Sequence, residues 1–302
     1  MTASERAVIP WVLLFLSPWI VGLVIFTLIP MGWSLWLSFT DYDPLVGTAN
    51  FIGVDNYVEM VQDRRVSLSL FNTVYFTVLF VPLSTILGLF LATMLNRVGG
   101  RSAGFFRTAF YLPNLTPAVA VGTLFLLILN GQSGLLNSFL GIFGIDGPSW
   151  LNDPAWVKNG IVLMMLWSIG GTVIILFAAL RNVPPELYEA ARIDGAGAWQ
   201  QFRNVTVPMI SGALFFTIVI NTIASLQLFA EVYTMFYGTQ QGTTAGSERA
   251  ALFYVIYLFR NAFEFFQMGY AAALAWVLFV VILVITLIQL RLSKRFVYYE
   301  GE

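Results

Sequence analysis

Six long apolar runs in the sequence decide which kinds of fold the chain can adopt. Most reach the roughly 20 residues that an α-helix needs to cross a hydrocarbon core of about 30 Å. Lipid cannot satisfy free backbone groups, and barrel strands would alternate apolar and polar residues over about 10 positions, which these runs do not do. The sequence therefore predicts an all-α integral membrane protein with six transmembrane helices, at roughly residues 11–37, 71–95, 108–130, 157–180, 210–236 and 269–291.

Composition supports this prediction and excludes several kinds of chemistry. Hydrophobic residues make up 58% of the 302 residues and charged residues 10%, whereas soluble domains are about one-quarter charged. A net charge of −1 gives no basic surface for nucleic acid. Because Cys and His are absent, the chain has no thiol nucleophile, imidazole base or common zinc ligand. We predict one transmembrane domain over residues 1–302, with its core spans at roughly 71–291, and no catalytic or metal-binding residue.

The basic residues predict which side of the membrane each loop faces. Six spans place both termini on one side. With the termini in the cytoplasm, the inner segments hold 10 of the 15 Lys and Arg residues, and the outer segments hold 5. The positive-inside rule therefore predicts cytoplasmic termini, and it places the polar segment 184–208 in the cytoplasm.

Segment 184–208, "PPELYEAARIDGAGAWQQFRNVTVP", has the pattern of a short helix–turn–helix. The two prolines suit a helix start, and Glu186 and Glu189 oppose the positive end of the helix dipole. Gly195 is placed to end the first helix in a left-handed conformation. Leu187, Ala190, Ala191 and Asp194 follow helical spacing and share a face.

A second helix is predicted from Ala198 to about Asn204, with Trp199 and Phe202 adjacent at i, i+3 and Pro208 ending it before the next span. The residues alone leave two interpretations open. The segment is either an amphipathic loop on the lipid headgroups or a rigid element that docks into a cytoplasmic partner.

The spacing of this segment resembles the coupling loop of the membrane subunits of ABC importers. That family pattern is Glu-Ala-Ala, three residues, Gly, nine residues, Ile-x-Leu-Pro, and two valines replace Ile and Leu here. The matching positions are Glu189, Ala190, Ala191, Gly195, Val205, Val207 and Pro208.

The resemblance extends over roughly residues 11–295. "NFIGVDNYVEMVQD" with "NTVYFT", "FFRTAFYLPNLTPAVAVGTLFLLILNGQSGLLN" and "GYAAALAWVLFVVILVITLIQLRL" are similar to the carbohydrate-uptake branch, especially to the maltose- and glycerol-phosphate-type first permease subunit. One departure lies after the fifth span. Many relatives have a Gly-Gly-Pro turn there, and this chain has "FYGTQQGTTAGS".

The resemblance implies a type I importer permease in the bacterial plasma membrane. Its implied partners are a second permease subunit in a heterodimer, two ATP-binding cassette subunits and an extracytoplasmic sugar-binding protein. This chain has no phosphate-binding loop of the GxxxxGK[ST] type, so ATP and Mg²⁺ are expected in the partner ATPase and no cofactor is expected here. Contact with the ATPase is implied for Glu189, Ala190, Ala191, Asp194 and Gly195.

Polar residues within the apolar runs are candidates for the substrate pathway, because such residues tend to face a cavity or the bundle interior. Amides, hydroxyls and aromatic rings are also the groups that recognise sugars. The candidates are Asn114, Thr116, Trp167, Ser168, Asn221 and Ser225. Interhelical hydrogen bonding is an equally good interpretation for each of them.

Other functions remain open at the level of sequence. An ion-coupled secondary transporter often carries ionisable residues in mid-span, and here the mid-span polar groups are neutral. An ABC permease for a non-sugar solute, such as glycerol phosphate or an amino acid, is a further alternative. The carbohydrate-like segments favour a sugar, either a di- or oligosaccharide or a related glycoside.

Overall fold

The computed structural model describes residues 3–98, 100–238 and 249–297, and these residues form helices with two isolated β-bridges and no strand. The α-helices in this part of the chain are α1 (Ala3–Leu23), α2 (Ile29–Leu37), α3 (Asp55–Gln62), α4 (Arg64–Arg97), α5 (Gly100–Tyr111), α6 (Ala118–Ile128), α7 (Leu135–Ile142), α8 (Pro154–Trp167), α9 (Gly170–Arg181), α10 (Pro185–Ile193), α11 (Ala198–Gln201), α12 (Val207–Met209), α13 (Ser211–Leu226), α14 (Ala230–Phe236), α15 (Tyr254–Phe263) and α16 (Met268–Phe296).

Helices that are long and apolar enough to span a membrane occur where the apolar runs predict them. Within the described residues, four helical stretches are long and apolar enough to span by themselves: Leu14–Leu37, Arg64–Arg97, Ser211–Phe236 and Met268–Phe296. Two more spans are bent pairs, Ser102–Leu115 with Ala118–Ile128 at 96° and Pro154–Trp167 with Gly170–Arg181 at 50°. The count is six if each bent pair is one span, and the prediction of an all-α membrane protein is confirmed.

The two breaks have different local causes. Between α5 and α6, a 3₁₀ turn (Leu112–Leu115) is followed by Thr116 in an extended conformation and Pro117 at the helix N-cap. A residue before proline disfavours the helical conformation, so the sequence itself sets this break. Between α8 and α9, Ser168 and Ile169 leave helical geometry although no proline is near. Two glycines, Gly170 and Gly171, follow directly and weaken helix formation at this position.

The described residues divide into two compact units. Within the described residues, one comprises 3–64 with 258–280, and the other comprises 65–98, 100–238 and 249–257 with 281–297. In the first unit, the buried Asn56 amide of α3 donates to the carbonyl oxygens of Ser38 and Thr40, each at 2.9 Å. The amide N–H of Gly269 donates to the carbonyl oxygen of Tyr42 at 3.1 Å. The short helix α3 is thus held by hydrogen bonds from its buried Asn56.

The second unit has its core along α4. Phe76 of α4 is fully buried and meets Phe253 edge-on, with ring centroids 5.5 Å apart. Asn72, also buried, donates to the carbonyl oxygens of Arg249 and Leu252. The atypical stretch after the fifth span, "FYGTQQGTTAGS", lies largely in residues 239–248, which are outside the described residues.

Candidate functional site

The first helix of the 184–208 loop is α10, which starts at Pro185 and carries Glu186 in its first turn. It ends with Gly195 at φ +80°, in the left-handed region. Two backbone bonds close this end: Gly195 donates to the Arg192 carbonyl at 3.1 Å, and Ala196 donates to the Ala191 carbonyl at 2.9 Å. This is the Schellman arrangement, in which glycine adopts the left-handed conformation without the strain that a Cβ adds. The predicted left-handed cap is confirmed.

The second half of the loop is more continuous than predicted. After α11, a π-helical turn (Phe202–Thr206) leads directly into α12, which contains Pro208. The prediction that Pro208 ends this helix is wrong, since helical structure continues to Met209 and breaks at Ile210. A π turn shifts the hydrogen-bond register of the backbone, and the next turn then accepts a residue without an N–H.

Side-chain contacts tie the two halves of the loop together. The hydroxyl oxygens of Tyr188 and Thr206 are 3.0 Å apart, so the two groups are hydrogen-bonded from α10 to the π turn. Trp199 and Phe202 stack with their ring centroids 5.6 Å apart, as their spacing predicts. The side chain of Gln200 accepts from the N–H of Gly197 at 2.8 Å and caps the start of α11. The loop is therefore an ordered helical element, the knob, which comprises residues 184–208.

The exposed surface of this knob carries both polar and apolar side chains. Among the residues predicted to contact a partner, Glu189, Ala190, Asp194 and Gly195 are exposed and Ala191 is half-buried. Three large apolar side chains are also exposed: Leu187 at 39% and, much more fully, Ile193 at 87% and Trp199 at 71%. Sequence reasoning assigned Trp199 only to packing and did not select Ile193. The available signal for Ile193 was an apolar residue directly before the predicted helix end at Gly195, outside the face that Leu187, Ala190 and Ala191 share.

A second feature is a cavity of about 290 Å³ between α4, the α5–α6 break, the α8–α9 break and α13. Four of the six predicted pathway residues line it: Asn114, Ser168, Asn221 and Ser225. The remaining lining residues are Phe80, Met165, Ile169, Gly171, Thr172, Ile175, Thr217, Ile220 and Ala224, so no lining residue is ionisable.

Asn221 is at the centre of the polar side of this cavity. Its amide nitrogen donates to the hydroxyl of Thr172 on α9 at 3.1 Å and to that of Ser84 on α4 at 3.3 Å. It therefore links three helices while part of it faces the cavity. Sequence reasoning missed Ser84 and Thr172, although a hydroxyl in the middle of an apolar run was the signal for both.

Asn114 connects the two helix breaks. With the amide oriented to satisfy both of its atoms, Nδ2 donates to the carbonyl oxygen of Ser168, and Oδ1 accepts from the N–H of Gly171 at 2.9 Å. Backbone groups left free by the α8–α9 break are thus paired by a side chain from the α5–α6 break. The backbones also approach closely here, since a Cβ at Gly170 would overlap the carbonyl oxygen of Phe110.

Two predicted pathway residues are absent from the cavity lining. Thr116 donates its backbone N–H to the carbonyl oxygen of Pro113 and forms the extended link before Pro117. Trp167 packs against Phe125 of α6, with ring centroids 5.8 Å apart, and is 39% exposed. In this conformation both residues have structural contacts.

The fold matches solved importer membrane subunits along nearly its whole length. Two crystal structures of a bacterial ABC transporter for import of the acidic polysaccharide alginate each contain a similar chain, with TM-scores of 0.82 and 0.80 and 25% identity. The first match covers 97% of this chain and 99% of the other, and the second covers 96% of each. The all-helical fold is thus that of a type I ABC importer permease.

Sequence comparison specifies the family. The model for "Binding-protein-dependent transport system inner membrane component" matches residues 84–298. The probable ABC transporter permease protein YesP of Bacillus subtilis is 38% identical, over 95% of this chain and 92% of that protein. The lactose transport system permease protein LacF of Rhizobium radiobacter is 35% identical, over 93% of each chain. The chain belongs to the family of binding-protein-dependent transport system inner membrane components.

Proposed function

We propose that this chain is the membrane-spanning permease subunit of an ATP-driven importer for a sugar, and that the ordered 184–208 loop couples it to a separate ATPase. The observation that carries the proposal is the knob itself: a Schellman-capped helix end, a Tyr188–Thr206 hydrogen bond and exposed Ile193 and Trp199. Large exposed apolar side chains beside ordered polar groups are typical of a docking surface.

Coupling requires such a loop to transmit motion. To shift the permease from a 1:99 to a 99:1 mixture of two conformations, the ATPase must supply about 5.5 kcal/mol, and this free energy passes through the loop. We assign Glu189 and Asp194 to polar contacts with the ATPase, Ala190 and Ala191 to close packing, and Gly195 to the turn that keeps the knob rigid. ATP and Mg²⁺ are held by the ATPase in this account, and the present chain is non-catalytic.

The proposed orientation places both termini and the knob in the cytoplasm, within a bacterial inner membrane. It rests on the 10 to 5 distribution of basic residues. The other proposed partners are a second permease subunit, a second ATPase subunit and an extracytoplasmic sugar-binding protein. The solved alginate transporter in complex with a pentasaccharide-bound periplasmic protein supports the last of these.

We assign the substrate pathway to the cavity around Asn221. Its amides and hydroxyls pair with sugar hydroxyls, and apolar residues such as Phe80 form the rest of the wall. At about 290 Å³ it is near the lower end of the roughly 300–1,000 Å³ typical of ligand sites, which fits one half of a pathway whose other wall is a second permease. Thr116 and Trp167 remain candidates only in a different conformation of the transporter.

The choice of a sugar rests on the relatives and on the chemistry of the cavity. One relative is a lactose permease, and the similar structures import a polysaccharide. Because the cavity lining has no ionisable residue, it also lacks the groups with which an ion-coupled transporter usually binds its ion.

Purification tests this proposal directly. The tagged chain is extracted from its native membranes in mild detergent, and the proteins that accompany it are identified by mass spectrometry. We expect an ATPase with a phosphate-binding loop and a second six-span protein. A chain that purifies alone and still moves solute into vesicles without ATP would establish a secondary transporter.

A further inference from the structure

A second cavity lies between the 184–208 loop and the ends of two spans, and we propose that it binds a phosphate-bearing anion. Its volume is about 390 Å³. The last turns of α4 and α9 form one wall, and both halves of the loop form the other. The lining residues are Thr93, Asn96, Arg97, Leu180, Tyr188, Arg192, Ala198, Gln201, Phe202 and Thr206.

The charge of this cavity is one-sided. Arg97 and Arg192 line it and no carboxylate does. In the described part of the chain, neither guanidinium forms a salt bridge within 4.0 Å. The acids of the loop, Glu186, Glu189 and Asp194, are not among the lining residues. Two positive charges on exposed side chains, with no carboxylate among the lining residues, favour an anion over a neutral sugar.

The hydrogen bonds among the lining residues point to the same class of ligand. Tyr188 and Thr206 bond to each other, and Gln201 donates to the carbonyl oxygen of Ala196 at 2.8 Å. The guanidiniums of Arg97 and Arg192 make no side-chain hydrogen bond within the described residues, and neither does the amide of Asn96. Each guanidinium offers five N–H donors in a planar fork that matches phosphate oxygens. The groups left over are therefore mainly donors, as an anion requires.

This cavity is separate from the substrate pathway, since the two share no lining residue. Its placement on the cytoplasmic side rests on the proposed function. An anion bound there would connect Arg97 at the end of a span to Arg192 in the coupling loop, and so hold the loop against the spans. Occupancy then sets how freely the loop follows the ATPase.

The phosphate group has two possible sources. Basic pockets at the cytoplasmic ends of membrane helices bind anionic lipid headgroups. The cavity volume also falls in the range of sites for small soluble ligands. The chemistry of recognition is the same for both, so the experiment must separate them.

The test uses the assembled complex, purified through this chain, in nanodiscs of phosphatidylcholine. Binding of radiolabelled inorganic phosphate is measured by equilibrium dialysis, and retention of added phosphatidylglycerol is measured by native mass spectrometry. The test variant is Arg97→Gln with Arg192→Gln, and the matched control is Arg203→Gln, an exposed arginine of the same loop that does not line the cavity. ATPase subunits contribute the same phosphate background in every variant.

We expect the double variant to lose about tenfold in affinity for each arginine, and the control to stay within about twofold. A loss confined to phosphate identifies a soluble ligand, and a loss confined to phosphatidylglycerol identifies a headgroup. If the double variant does not assemble, the single Arg97→Lys and Arg192→Lys variants keep the charge but lose the fork, and weaker binding is expected. Equal binding of both probes by test and control variants overturns the proposal. The proposed function is judged separately, by whether the ATPase accompanies the chain.

Discussion

The side-chain Oδ1 of Asn114 accepts a hydrogen bond from the backbone N–H of Gly171 at 2.9 Å, while its Nδ2 donates to the carbonyl oxygen of Ser168. One amide thereby serves as the missing backbone partner at the α8–α9 break. Backbone groups freed at a helix break in a membrane need such a partner, from a side chain, a neighbouring helix or ordered water.

Replacing Asn114 with leucine removes both bonds and leaves two backbone groups unpaired. Since each lost hydrogen bond costs about 0.5–1.5 kcal/mol, we expect a clear fall in thermal stability in detergent. Asn159→Leu is the control, because the Asn159 amide bonds only to the carbonyl of Ala155 within its own helix. Equal melting temperatures for the two variants would show that the bridge does not stabilise the break.

A methyl group at Gly170 tests the close approach of α5 and α9. Because a Cβ there would overlap the carbonyl oxygen of Phe110, Gly170→Ala must push two backbones apart. We expect a destabilisation of about 1–3 kcal/mol, measured by thermal unfolding. Gly104→Ala, in α5 with nothing within 4 Å of the added methyl, should be neutral or slightly stabilising. A Gly170→Ala variant as stable as Gly104→Ala contradicts this packing.

Asn221 is expected to contact the transported solute as well as Thr172 and Ser84. Asn221→Leu should reduce uptake by at least about tenfold in reconstituted vesicles, since one lost hydrogen bond to a polar substrate is worth about 1 kcal/mol and the cavity also becomes apolar. Ser84→Ala is the comparison, because it removes an interhelical partner of Asn221 that does not line the cavity and keeps the amide in place. If the two variants assemble normally and transport equally well, Asn221 has only a structural role.

The exposed apolar residues of the knob should hold the ATPase. Ile193→Asp and Trp199→Asp are expected to abolish co-purification of the ATPase, because each places a charge in an apolar contact. Val61→Asp, on the exposed face of α3 at 88% exposure, is the control and should leave the complex intact. Retention of the ATPase by both knob variants would remove these side chains from the interface.

The sequence predicts the spans well because the constraint from lipid is local. A run of about 20 apolar residues has few alternatives to a membrane helix. The α5–α6 break is also visible in the sequence, since Pro117 restricts Thr116. The α8–α9 break has a weaker signal in Gly170 and Gly171, and its pairing with Asn114, more than 50 positions away along the chain, is not visible in the sequence. Continuation of the helix through Pro208 was missed for a related reason, since a π turn has no simple sequence signal.

The candidate pathway residues stay a prediction, although the structure brings four of the six together. Neutral polar groups within apolar runs led to Asn114, Ser168, Asn221 and Ser225, and all four line one cavity. Trp167 was selected for its ring, but Phe125 is its neighbour in the structure. Aromatic rings are as useful for packing as for sugar stacking, so the residue type alone does not distinguish the two.

The central claim is that the 184–208 loop couples ATP hydrolysis to uptake, and the ratio of solute imported to ATP hydrolysed in vesicles tests it most directly. Gly195→Pro cannot adopt φ +80°, and Glu189→Lys reverses an exposed charge, whereas Gly197→Ala, at φ −72°, is a tolerated change in the same loop. The account predicts that the ratio falls at least about tenfold in the first two variants and stays normal in the third. An unchanged ratio in all three would contradict it.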